Sequence, residues 1–168
     1  MLKDLHTEEQ MAPAVRLFFA MVEENYTRLC SSIKNIPQDV LEYKGKGGQY
    51  NSIAQLIRHL AYVDLRWVYR IKGETMPDAL ERKYGPMIDE NGQLPSVTGL
   101  SIDQLLQDYA EVFHYFRREC LRLKDKDLKV VVDYEDGKKA TIQWGIWHMA
   151  DHSRYHQAHI NLLLKEKS

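Results

Sequence analysis

His148-Met-Ala-Asp-His152-Ser-Arg-Tyr-His156-Gln-Ala-His159 places four of the chain's seven histidines within one short stretch. His148, His152 and His156 are spaced four apart, which stacks side chains along one side of an α-helix. The apolar residues agree with a helix. At about 100° per residue, Ile142, Ile146, Met149, Ile160 and Leu164 gather on a common face. Measured from Ile142, His156 falls at about 320°, His152 near about 280°, His159 near about 260° and His148 near about 240°. His152 and His156 therefore lie nearest the apolar face, one turn apart. Two imidazoles so placed can reach one divalent cation, and neutral imidazole suits Zn, Ni, Cu or Fe. His148 cannot share an ion with His156, because two turns separate them by roughly 11 Å. His148 and His159 are read as flanking.

Outward from this helix, three more segments carry the helical period. The first runs through Val15, Phe18, Phe19, Val22, Tyr26, Leu29 and Ile33, with Thr7-Glu-Glu-Gln10 as a capping box upstream and Asn35-Ile-Pro37 as its end. Gly45-Lys-Gly-Gly48 is a flexible link; no strand precedes it and no Gly-Lys-Ser/Thr follows, so it is not a phosphate loop. The second helix starts at a cap on Asn51 or Ser52 and carries Ile53, Leu56, Ile57, Leu60, Val63, Trp67 and Ile71. A long connection from Gly73 to Gly99, punctuated by prolines and glycines, crosses the bundle end. Ser101-Ile-Asp-Gln104 opens the third helix, with Ile102, Leu105, Leu106, Tyr109, Val112, Phe113, Phe116 and Cys120 on its stripe. Leu128 to Ile142, with β-branched residues around Asp136-Gly137, reads as a short hairpin before the fourth helix. The expected fold is all-α: a four-helix bundle with a long crossover between helices 2 and 3 and a β-hairpin before helix 4, in one domain over residues 1–168. Such bundles build metal sites from inward side chains on facing helices.

Composition narrows the function. Apolar residues make up 44% and charged residues 28%, the mixture of an ordinary water-soluble protein. A net charge of -1 offers no footprint for nucleic acid or an anionic membrane. No apolar run is long enough for a membrane span, and the N-terminus has no signal-peptide segment, so a cytoplasmic location is expected. Cys30 and Cys120 fall near apolar stripes and read as reduced core thiols.

A third ligand must come from another helix. His59 is the histidine of the second helix, at the edge of its apolar stripe beside Leu56, Leu60 and Val63. Alone it reads as a packed core histidine; beside an inward pair on the fourth helix it reads as the third ligand. His6 and His114 have no such partners and are expected in solvent.

Two motifs together resemble the DinB-like superfamily of four-helix-bundle metalloproteins, which includes YfiT-like proteins and bacillithiol transferases. One is a serine-led helix carrying His-Leu, here Ser52-Ile-Ala-Gln-Leu-Ile-Arg-His59-Leu60. The other is a helix with two ligands four apart, usually His-x-x-His-His-Arg-Gly-Gln-Ile, here His152-Ser-Arg-Tyr155-His156-Gln157-Ala158-His159-Ile160. Tyr155 replaces the first histidine of the usual pair, and Gln157-Ala158-His159 replaces Arg-Gly-Gln. The resemblance implies one divalent metal, nickel or zinc, on His59, His152 and His156, with open positions for water or substrate. It further implies transfer of a small-molecule thiol to an electrophile, or a related hydrolysis, and a homodimer. An open-site metal lowers the pKa of bound water or thiol.

Around this site, His148 and Tyr155 are candidates for moving protons, and Trp67, Trp144, Trp147 and Tyr155 either wall the site or pack between helices. Asp64 and Asp151 are candidates to orient a ligating imidazole from behind; the alternative for Asp64 is pairing with an arginine such as Arg154. Arg58 and Arg66 read as a solvated face, although Arg66, two turns from His59, is placed to attract an anionic substrate. The competing class of function is a non-catalytic, stress-associated binding protein with a structural or vestigial metal. Structural zinc sites are usually closed and rich in cysteine, which favours the enzymatic reading.

Overall fold

In the computed structural model, which describes residues 2–167, four long helices carry the architecture. They are α1 (Pro13–Ile33), α3 (Ile53–Lys72), α5 (Ile102–Cys120) and α6 (Ile142–Lys167), with short helices α2 (Gln38–Leu41) and α4 (Asp78–Tyr84) between them. Helix α3 packs on α5 and α6, and α1 packs on the same two, which closes the bundle. A two-stranded antiparallel hairpin, β1 (Val131–Asp133) and β2 (Lys139–Thr141), precedes α6, with Val132 opposite Ala140. Its turn has Asp136 and Gly137 both at positive φ, as the Asp-Gly pair foretold. Among the described residues no helix is long and apolar enough to cross a membrane.

Local chemistry sets the helix ends. Ser52 and Gln55 form the reciprocal capping box at the start of α3, and Gly73 closes that helix in the left-handed region (φ 68°). Ser101 accepts from the Gln104 backbone N–H at the start of α5. Helix α1 differs from its sequence reading. It begins at Pro13, beyond Thr7–Gln10, and its first N–H groups are taken by the Asp125 carboxylate, at 2.9 Å from Ala14 and 3.3 Å from Val15. Glu8, drawn into the supposed box by sequence, instead binds Arg117 through both carboxylate oxygens.

The core forms two neighbouring clusters. Trp67, Tyr109, Phe19 and Phe116 are among its largest fully buried side chains, each contributing about 1.5–3 kcal/mol by leaving water. Helix α3 is buried on nearly every side, including Ala54, Gln55, Tyr62, Asp64, Leu65 and Val68, because the bundle, α4 and the hairpin all cover it. The connection from Gly73 to Gly99 holds α4 and is tied down by α3. Arg58 donates to the Tyr84 and Gly85 carbonyls at 3.2 and 2.5 Å, so it is not the solvated residue expected from sequence. Gln55 donates to the Leu94 carbonyl at 2.8 Å.

Candidate metal centre

Rotation of α6 about its axis decides where its histidines point, and a buried polar chain sets that rotation. Gln157 Nε2 donates to the Asn25 carbonyl at 2.9 Å, and Asn25 Nδ2 donates to the Ala150 carbonyl at 2.9 Å. Near the start of the helix, Gly145 lies against the six-membered ring of Trp67 from α3; a Cβ there would sit 2.2 Å from the ring. With Ile146, Met149 and Ile160 fully buried, these contacts turn His152 and His156 toward α3. A column of rings results: Trp144 stacks on His148 (4.9 Å, 8°), His148 on His152 (5.4 Å), and His152 meets His156 edge-on (4.5 Å). His59 of α3 closes the group, 5.0 Å from the His152 ring and 5.1 Å from that of His156.

The three rings present the same atom. Nε2 of His152 lies 3.2 Å from Nε2 of His59 and 3.0 Å from Nε2 of His156. Two nitrogens bound to one ion at about 2.0–2.1 Å would be about 2.9 Å apart at a right angle and about 3.4 Å apart at the tetrahedral angle. The two separations from His152 fall between those limits, and the three ligand atoms all lie within 4.8 Å of one another, so the donor set is compatible with one first-row divalent ion. Among the described residues, His59, His152 and His156 are the cluster of metal-ligating groups close enough to share one. His148 stays outside it.

Protonation suits the same role. Burial, then the charges of neighbouring histidines, pushes His152 and His156 down to about 3. Burial also lowers His59, against the opposing pull of the Met87 backbone and the Glu135 carboxylate. All three imidazoles are therefore neutral at pH 7. The Nδ1 atoms of His152 and His156 are buried without a hydrogen-bond partner among the described residues. With the proton on Nδ1, each Nε2 lone pair faces the shared centre.

The flanking candidates separate. Burial lowers the pKa of His148, opposed by the charges of Asp151 and Glu135. Tyr155 is 61% exposed and touches His156 and His159 by its ring edge. Asp151 is exposed on α6. Asp64 is buried, but its hydrogen bond comes from the Tyr109 hydroxyl at 2.8 Å rather than from a histidine, and Arg154 pairs with Gln157. Burial pushes the Asp64 carboxyl up to about 7, with the Tyr109 hydrogen bond opposing. Of the tryptophans, Trp67 and Trp144 belong to the ring column. Trp147 lines a separate groove with Met21, Asn25 and Arg154. His6 and His114 are exposed. Cys120 is buried in the core, and Cys30 is hydrogen-bonded with Tyr26, so neither belongs to the histidine group.

Two groups near the site were not singled out by sequence. Glu135, on the hairpin turn, projects its charge onto both His59 and His148. Arg70 lies over the Trp67 and Tyr134 rings at 4.8 and 5.1 Å. Only the docking of the hairpin brings Glu135 here, and no local pattern signals it, whereas Arg70 follows His59 by eleven residues on α3.

With the bundle, the hairpin and the histidine triplet in place, the chain can be set beside known proteins. The family model of the DinB superfamily matches residues 21–160, which include all three histidines. The chain belongs to the DinB superfamily. The chain is also similar to the uncharacterized protein YkkA of Bacillus subtilis (strain 168), 46% identical over 166 residues, which cover 98% of this chain and 94% of the relative. Membership and the triplet together support divalent-metal binding as the coarse function.

Proposed function

We propose that this protein is a metal-dependent thiol S-transferase in which His59, His152 and His156 hold one nickel or zinc ion. The observation that carries the reading is the convergence of three Nε2 atoms at 3.0 and 3.2 Å from the central His152. When bound there, such an ion supplies Lewis acidity that favours the thiolate form of a small thiol. Three imidazoles fill only part of a coordination sphere, and His59 and His152 keep partial exposure, which gives a substrate a route in. His148, held between Trp144 and His152, is kept neutral near pH 7 by burial and can accept the thiol proton. Trp144 presents a wall for the electrophile, and Tyr155, beside His156, assists proton movement at the exposed edge. The protein acts in the cytoplasm, as a one-domain subunit of a homodimer, with a thiol and an electrophile as its partners.

The reading is tested with cobalt-substituted protein titrated with small thiols. A sulfur-to-metal charge-transfer band is expected, and His156→Ala should abolish it. No band and no metal-dependent turnover across a panel of thiols would sink the transferase reading, leaving a binding role for the triplet.

A further inference from the structure

On α3, positions 66 and 70 follow His59 by seven and eleven residues, which returns them to within about 20° of the same face of the helix. Arg66 and Arg70 therefore share one strip with the proposed ligand, and Arg66 starts about 10 Å further along the axis. Helical side chains lean toward the N-terminus, so both guanidinium stems incline toward His59.

Their counter-charge is thin. Arg66 and Arg70 both reach the same Oε1 of Glu135, at 3.6 and 3.7 Å, longer than a hydrogen bond. Two guanidinium groups, each able to grip a carboxylate with two parallel N–H donors, thus share a single loose oxygen. Glu81 accepts from the Tyr62 hydroxyl, and Glu135 is the carboxylate within ion-pair reach of both arginines among the described residues. The cations are also held in place without Glu135. Arg70 is only 13% exposed and lies over Trp67 and Tyr134, while Arg66 lies over Tyr62 and donates to the Met87 sulfur at 3.7 Å. Glu135 itself is carried on a two-stranded hairpin's turn and is 30% exposed.

We propose that Arg66 and Arg70 form a carboxylate-binding site that selects thiols bearing a distal carboxylate, and that Glu135 occupies it as an exchangeable internal carboxylate. The substrate's carboxylate replaces that of Glu135, which turns out to water, so the charge at the guanidinium pair is unchanged by the exchange. The inference rests on the thiol reading above for its substrate, but the anion site has a separate readout.

In metal-free protein, Trp67 beneath Arg70 reports occupancy. Hexanoate should produce a saturable change in tryptophan fluorescence that equal chloride does not. Arg70→Gln should lose it, and Glu135→Gln, which removes the internal competitor and lies on the turn outside the bundle core, should strengthen it. In zinc-loaded protein, 6-mercaptohexanoate should bind about tenfold more tightly than 6-mercapto-1-hexanol, the value of one good charged hydrogen-bonded contact. Arg66→Gln and Arg70→Gln should bring that ratio near one while leaving 6-mercapto-1-hexanol binding unchanged. A ratio near one in the unsubstituted protein, or one that survives both arginine substitutions, overturns the proposal. A hexanoate response that depends on Arg70 while neither thiol binds supports the carboxylate site and removes the thiol reading instead.

Discussion

Gly145→Ala is the substitution for which helix propensity and packing disagree most sharply. In an exposed helix interior, replacing glycine by alanine gains about 1 kcal/mol. Here the added Cβ would lie 2.2, 2.3 and 2.8 Å from three atoms of the Trp67 six-membered ring. Trp67 has no room to retreat: it is fully buried, stacked on Tyr134 at 5.5 Å and tilted against Trp144 at 5.9 Å. Overpacking of this kind costs about 1–3 kcal/mol, and these contacts belong in the upper part of that range. The net expectation is a loss of about 1–2 kcal/mol, or about 2–8 °C in Tm for a chain of this size. Urea and thermal unfolding followed by circular dichroism would measure it. In a Trp67→Phe background the offending ring atoms are gone, and Gly145→Ala should become neutral or stabilising, so the two substitutions should depart from additivity with a non-zero coupling energy. If Gly145→Ala stabilises the parent chain, Trp67 is not seated against α6, and the register assigned to the histidines falls with it.

Acid should weaken the metal-free protein in a defined window. His152 and His156 titrate near 6.5 when unfolded and at about 3 when folded, so between those values the unfolded chain binds more protons and stability falls as pH drops; urea midpoints at pH 7.5, 6 and 5 should decline, and a flat profile would show the pair to be solvated. Asp125→Ala removes the cap on α1 and should cost about 1 kcal/mol, whereas Thr7→Ala should stay within about 0.5 kcal/mol; equal effects in urea unfolding would restore the local capping box. Chelation should lower the melting temperature yet leave the helical circular dichroism largely intact at room temperature, since long amphipathic helices bury their stripes without an ion. Complete unfolding on chelation would make the metal structural.

The parts of this protein that sequence disclosed are those governed by local geometry. The spacing of His148, His152 and His156 follows from the helical repeat, and the Ser52 and Ser101 caps lie within three residues of the groups they satisfy. Asp136-Gly137 marked the hairpin for the same reason. What escaped depends on contacts between distant segments. Asp125 caps a helix more than a hundred residues earlier, and Arg58 leaves its expected solvated face because two carbonyls after α4 need donors. Helix α3 carries one apolar stripe in sequence, and Asp64 falls on it; Gln55, on the opposite side, is buried too, since covering elements on the outer side cannot be counted from the helix's own sequence. The same holds at the centre. His59 is legible only in company with the α6 pair, whereas Glu135 reaches the site through the docking of a hairpin that gives no sign of where it will lie; Arg70, on the His59 face of α3, takes only its Tyr134 contact from that segment.

Metal content of purified protein, set against single histidine substitutions, is the most direct test of the three-histidine centre. Elemental analysis should find close to one nickel or zinc per chain in the parent and in His148→Ala, and loss of that metal in His152→Ala. Circular dichroism on the same samples should confirm that each variant is folded. Full occupancy in a folded His152→Ala/His156→Ala double variant, or emptying by His148→Ala with His156→Ala still loaded, would contradict the assignment of the site.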